Sequence, residues 1–196
     1  MKQFFTLFVL TLVNLSTFKP QTNHMTQQTP WFERTFRFDF PVTNFPIIFS
    51  RLEGTIFRMH HLLANADEEQ TSIARDGWSV KQHVGHLYDL EELWWKRFQD
   101  FLNGNEYLTT ADLSNRKTNE AGHNEASLAH LANAFLLERQ KLLEAIYGLD
   151  KPELALTAIH PRLQQPMRLI DSLYFVAEHD DHHLAKIATL MRQPLG

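Results

Sequence analysis

Apolar residues recur along this chain in four stripes with helical spacing, set between polar stretches. The first stripe is Ile48, Leu52, Ile56, Met59 and Leu63. Steps of three and four put these side chains on one face of a helix. The helix is expected to begin near Asn44, with Pro46 in its first turn, where a missing N–H breaks no ladder bond. The second stripe runs through His83, His86, Leu87, Leu90, Trp94, Phe98 and Phe101. It opens on Ser79-Val80-Lys81-Gln82, a capping box in which Ser79 caps and Gln82 reaches back. It should end before Asn103-Gly104-Asn105. The third helix is expected from about Asn124 to Tyr147, with Leu128, Leu131, Phe135, Leu142 and Ile146 as its stripe and Gly148 as its stop. The fourth should start near Met167 and run to about Met191, carrying Leu169, Leu173, Val176, His179, His183, Ile187 and Leu190 on one face.

The segments between these stripes do not look like further core elements. Residues 65–76 and 103–123 are polar connections. The second is long enough for a crossover between helices that are not hairpin neighbours, and a long loop near a site can carry function. Residues 150–168 contain Pro152, His160-Pro161-Arg162-Leu163 and Pro166, which cannot continue a helix. Phe36, Phe38 and Phe40 alternate with polar residues but lack an obvious partner strand, so an extended arm packed over the bundle is expected. Four amphipathic segments without a convincing sheet predict an all-α four-helix bundle. No internal repeat and no Gly-rich phosphate loop interrupts that reading.

Composition narrows the chemistry. The chain has 196 residues, 43% hydrophobic and 21% charged, which suits one globular domain with a sizeable core. Its net charge is −4 and no Lys/Arg-rich run occurs, so nucleic acid is not an expected partner. Cysteine is absent. A zinc site would therefore use His or carboxylate ligands, and any thiol nucleophile must come from outside. Residues 1–24 include the apolar run Phe4–Val13, too short for an ordinary membrane span. This leader reads as a mis-called start ahead of Met25, which makes the protein cytoplasmic, or as an export signal. The folded domain is expected over residues 25–196, with no stable membrane insertion.

The fourth stripe holds the most informative residues. In Glu178-His179-Asp180-Asp181-His182-His183, His179 and His183 are one turn apart and occupy positions where core residues belong. Inward imidazoles need either hydrogen bonds or a metal ion. Helix two offers His83 and His86 as a third ligand. His86, next to Leu87 and four before Leu90, falls on the inward side, although a capping or surface role is the alternative. Two histidines from one helix and one from another would leave a fourth position open, as in catalytic zinc sites. Asp89, Glu178, Asp180 and Asp181 are near enough in sequence to accept the other ring N–H of a ligand. The H-E-x-x-H and paired Glu-x-x-His patterns of other metal sites do not occur in these runs, nor does a G-x-S-x-G elbow.

Trp78-Ser79-Val80, His86-Leu87 and Asp89 together resemble the second-helix signature of the DinB/YfiT-like superfamily. The run Glu178–Ala185 with Ile187 resembles its last-helix signature. Trp31-x-Glu33-Arg34-x-Phe36, Asn115-Arg116-Lys117-Thr118-Asn119 and His160-Pro161-Arg162-Leu163 are similar to one branch of it. The resemblance covers about residues 30 to 192. It implies an up-down-down-up bundle, commonly a homodimer, with zinc or nickel held by three histidines, here His86, His179 and His183. It also implies metal-dependent hydrolysis, or S-transfer from a low-molecular-weight thiol such as bacillithiol or mycothiol to a small-molecule substrate. On that reading Asp89 and His182 are the candidates for moving protons beside the metal. The contrasting expectation is a non-catalytic metal- or ligand-binding stress-response bundle.

Overall fold

Helices form where the stripes and caps call for them. The computed structural model describes residues 28–75 and 77–192, and the apolar leader 1–24 lies outside the described residues. The chain divides after Arg34. Within the first unit, Trp31–Glu33 make one 3-10 turn and the Arg34 guanidinium lies 5.2 Å from the Trp31 ring centroid. In the second unit α1 spans Phe45–Leu63, with Pro46 in its first turn. A one-turn helix α2, Glu68–Ser72, interrupts the following connection and is capped by Asp67. Helix α3 spans Val80–Leu102. Both bonds of its capping box are present: Gln82 N–H donates to Ser79 Oγ at 3.1 Å, and Ser79 N–H donates to Gln82 Oε1 at 3.0 Å. It stops at Gly104, whose φ of +68° a residue with a side chain would adopt only under strain.

The polar crossover holds a second short helix, α4, Arg116–Glu120. Helix α5 spans Leu128–Tyr147 and is capped by Ser127, so it starts a few residues after the expected Asn124 and at the first residue of its stripe. A short α6, Lys151–Leu154, follows Asp150 in a second capping box. The absence of a sheet is the one architectural expectation that needs correction. Strands β1, Thr157–His160, and β2, Gln165–Arg168, form an antiparallel hairpin with Ala158 opposite Met167 and His160 opposite Gln165. Pro161 and Pro166 exclude a helix here, and alternate residues Ala158 and His160 turn inward. The hairpin also takes Met167, so the last helix, α7, spans Leu169–Arg192.

Residue pairings give the directions of the four long helices. Arg51 meets Glu178, and Arg58 meets Asp181, so α1 and α7 run parallel. His83 meets His183 while Trp94 meets His179, so α3 and α7 are antiparallel. Ser79 bonds Asn124 just before α5, and Glu91 meets Arg139 further along, so α3 and α5 are parallel. The order is up-down-down-up. Helix α3 packs against α5 and α7, and α1 against α7 and α5. Leu52, Val84, Leu87, Phe135, Ile146, Ile170 and Ile187 lose all solvent exposure in the core between them. The extended arm packs as expected: Phe36 lies edge-on to Phe175, and Phe38 and Phe40 lie against Tyr174. Arg168 fastens it by donating to the carbonyls of Phe38 and Phe40 at 3.3 and 2.9 Å. Among the described residues no helix is long and apolar enough to cross a membrane.

Candidate metal centre

Helix α7 stacks His179 and His183 one turn apart, with their Nε2 atoms 3.2 Å from each other. Helix α3 brings His86 to them, its ring centroid 5.3 Å from that of His179 and 4.7 Å from that of His183. One nitrogen from each of the three rings lies within 4.8 Å of the others. Two nitrogens bound to one tetrahedral ion at ~2.1 Å would stand roughly 3.4 Å apart, close to the separation of the α7 pair. Among the described residues no fourth histidine or carboxylate joins this group.

The three rings are buried, and tryptophans bracket them. Trp78 lies 4.6 Å from His86 and is stacked on His183 at 6.1 Å, while Trp94 is edge-on to His179 at 5.8 Å. Burial is the leading cause that pushes the His86 imidazole down to about 3 and His83 to about 4, with neighbouring histidines adding to it. His183 is driven well below its ordinary value for the same reasons. His86 and His183 are thus neutral near pH 7, and each keeps a lone pair for a cation. The donor set therefore fits a divalent metal.

The neighbours of the rings are specific. His86 Nδ1 lies 3.0 Å from Thr118 Oγ1, and the Thr118 hydroxyl donates to Asp89 Oδ2 at 2.8 Å. His123 Nε2 donates to the same carboxylate oxygen at 2.9 Å. His183 Nδ1 lies 2.9 Å from His83 Nδ1, which makes His83 a neighbour behind a ligand and not a member of the converging three. His182 is buried edge-on to His183 at 5.2 Å. A cavity of about 180 Å³ adjoins His86 and Asp89, walled by Leu90, Leu93, Lys117 and Thr118.

The acidic residues of the histidine run go elsewhere. Side chains advance by about 100° per residue around a helix. Glu178 and Asp181 consequently face α1, where Arg51 bridges them at 2.7 and 2.5 Å. Asp180 turns to the bundle centre, where it meets Arg139 at 2.5 Å and accepts from Thr55 at 2.9 Å. Of the four acceptors expected from proximity in sequence, Asp89 is tied to His86 through Thr118. The sequence reading singles out neither Gly85 nor His123, and it names Thr118 only within the run Asn115–Asn119, without a role. Gly85 carries a readable signal, a glycine inside a well-capped helix. A Cβ there would stand 2.3 Å from His123 Cγ, so the His123 ring occupies the space that the missing side chain leaves.

Comparison with known proteins agrees with the fold. A family model described as the DinB superfamily matches residues 51–187. The structure is similar to that of YfiT from Bacillus subtilis, described as a probable metal-dependent hydrolase with an unusual four-helix bundle topology. The TM-score is 0.68 at 19% identity, over 82% of this chain and 93% of that one. It is also similar to a mycothiol-dependent maleylpyruvate isomerase, with a TM-score of 0.62 at 10% identity, over 76% of this chain and 63% of that one. No curated protein matches the sequence.

Proposed function

The chain belongs to the DinB superfamily, and on that premise we propose that it is a metal-dependent enzyme acting on a small electrophilic substrate. The observation that carries this reading is the convergence of three buried imidazoles from two helices, with no fourth protein donor among the described residues. His86, His179 and His183 would hold the ion, zinc or nickel. When bound, such an ion supplies a Lewis acid that makes a nucleophile of water or a thiol near neutral pH. Trp78 and Trp94 keep bulk water from the three rings, and the cavity beside His86 is of a size for a small molecule. Asp89, held by Thr118 and His123 on the wall of that cavity, and His182, packed against His183, are the candidates for moving protons beside the ion.

Hydrolysis and thiol transfer share this site and differ in the nucleophile. Two observations favour a role for an external thiol: the chain has no cysteine, and one structural neighbour is described as mycothiol-dependent. The test is turnover of an electrophile panel by the zinc- or nickel-loaded chain, with water alone and with bacillithiol, mycothiol or a simpler thiol. Metal-dependent turnover only with thiol is expected for S-transfer or thiol-assisted isomerisation, and turnover with water alone for hydrolysis. A loaded chain that turns over nothing in either arm contradicts the enzyme reading and favours a binding module. The homodimer belongs to the same proposal, and sedimentation at micromolar concentration checks it.

A further inference from the structure

The crossover 103–127 does more than span the distance between α3 and α5. Asn115, at a φ of +53°, opens α4, which carries Thr118 to the back of His86. Docking is fixed from several sides. Trp78 Nε1 donates to Asn119 at 2.9 Å, and Lys117 donates to the Asp89 carbonyl at 3.3 Å. At the end of the crossover, His123 sits against Gly85. Thr118 and His123 are both buried, and both bond the same oxygen of Asp89.

Proton counting along this chain has one solution. A carboxylate accepts and has no proton to give, whereas a threonine hydroxyl has a single proton. The Thr118 proton is committed to Asp89 at 2.8 Å. The 3.0 Å contact between Thr118 Oγ1 and His86 Nδ1 must then use a proton on the imidazole. His86 is thereby held as the Nδ1–H tautomer, and Nε2 is the one ring nitrogen it can offer a cation. A hydrogen bond behind a ligand both orients the ring and raises its basicity.

We propose that Thr118, itself held by Asp89 and His123, is a positioning residue that fixes the tautomer and orientation of His86 for a divalent ion. The crossover thus completes the metal site from outside the two helices that supply its ligands. This inference rests on the three-histidine reading of the site, and its test separates the two. The metal-free chain, labelled with ¹⁵N at histidine, reports the His86 tautomer by long-range ¹H–¹⁵N correlation with no metal present. The expected result is protonation at Nδ1 in the wild type and a mixture of tautomers in Thr118→Val. Zinc affinity is then measured by competition with a chromophoric chelator. Thr118→Val should bind zinc roughly 10–100-fold more weakly, while Thr118→Ser, which keeps the hydroxyl, returns to within a few-fold. Protonation of wild-type His86 at Nε2 overturns the proposal, as does zinc binding by Thr118→Val equal to that of the wild type. A Thr118→Val chain that fails to fold leaves the wild-type tautomer and the serine variant to decide. A wild type that binds no zinc or nickel at all removes the metal reading without touching the tautomer result.

Discussion

His179 and Asp180 are adjacent on α7 and both are buried, yet they enter two polar clusters of opposite kind. Asp180 joins a cluster of charges that satisfies itself. Arg139, without solvent exposure, bonds Glu91 through Nη2 at 2.7 Å and Asp180 through Nη1 at 2.5 Å, and Thr55 donates to Asp180. The four residues come one each from α1, α3, α5 and α7, so the cluster ties the whole bundle together. His179 joins neutral rings whose nitrogens face one another. In the first cluster every donor meets an acceptor within the chain, and nothing from outside is needed. In the second, lone pairs converge, and a cation is the natural complement. A buried polar group becomes structural or functional according to whether its partners are already in the chain.

The largest way to break this comparison is to remove the central charge. Arg139→Ala leaves Glu91 and Asp180 buried without a counter-charge, and urea unfolding should show a loss of about 3–5 kcal/mol. His179→Ala should destabilise the metal-free chain far less, because its cluster is completed only by an added ion. The mirror experiment acts on the ligand. Zinc at 1,000 times its dissociation constant should stabilise the wild type by about 4 kcal/mol, and a chelator should remove that gain. His179→Ala should show no such shift.

The two clusters also answer pH with opposite signs. The folded chain holds His83 at about 4 and His86 at about 3, whereas an unfolded imidazole takes up its proton near ~6.5. Their contribution to stability is complete above that value and is lost as pH falls toward 3. His160, pushed down to about 3 by burial and by Arg97 and Arg162, adds to the same trend. Glu91 goes the other way. Two carboxylates share one guanidinium, and burial pushes the Glu91 carboxyl up to about 7. Its contribution is present below the ordinary carboxyl value near ~4.5 and drains as pH rises toward 7. Urea melts of the metal-free chain should therefore show the wild type losing stability relative to Glu91→Gln as pH rises from 5 to 7, while Glu91→Gln itself weakens below 6.5. A flat profile for Glu91→Gln over that acid range would remove the predicted contrast.

The smallest effect concerns a single methyl group. Gly85→Ala collides with the His123 ring, and overpacking of this kind costs about 1–3 kcal/mol. If His123 is displaced from Asp89, zinc affinity should fall as well, which the same chelator competition would register. Unchanged affinity would confine Gly85 to packing.

The bundle was legible because helical spacing and caps are local signals. The stripe of α1, the Ser79 box and the inward positions of His86, His179 and His183 all follow from steps of three and four. The charge cluster is not named by the sequence reading, although two of its members sit on readable stripes. Arg139 stands four after Phe135 and three before Leu142, squarely on the α5 stripe, and Thr55 stands three after Leu52. What periodicity could not supply was the pairing of such positions across helices, because packing sets it. The same limit hid the relay. Thr118 and His123 lie in a segment without periodicity, and only the docked crossover brings them to Asp89. The hairpin at 157–168 escaped because its strands are four residues each, too short for alternation to stand out, with Pro161 directly after the first and Pro166 inside the second.

The most direct test of the three-histidine centre is the metal content of the folded chain, measured by elemental analysis after saturation with zinc or nickel and removal of excess ion. The expected result is one ion per chain in the wild type and near zero in His86→Ala, with the helical spectrum of the variant unchanged. A wild type that retains no ion, or a His86→Ala chain that keeps a full equivalent, would contradict a site assembled from α3 and α7.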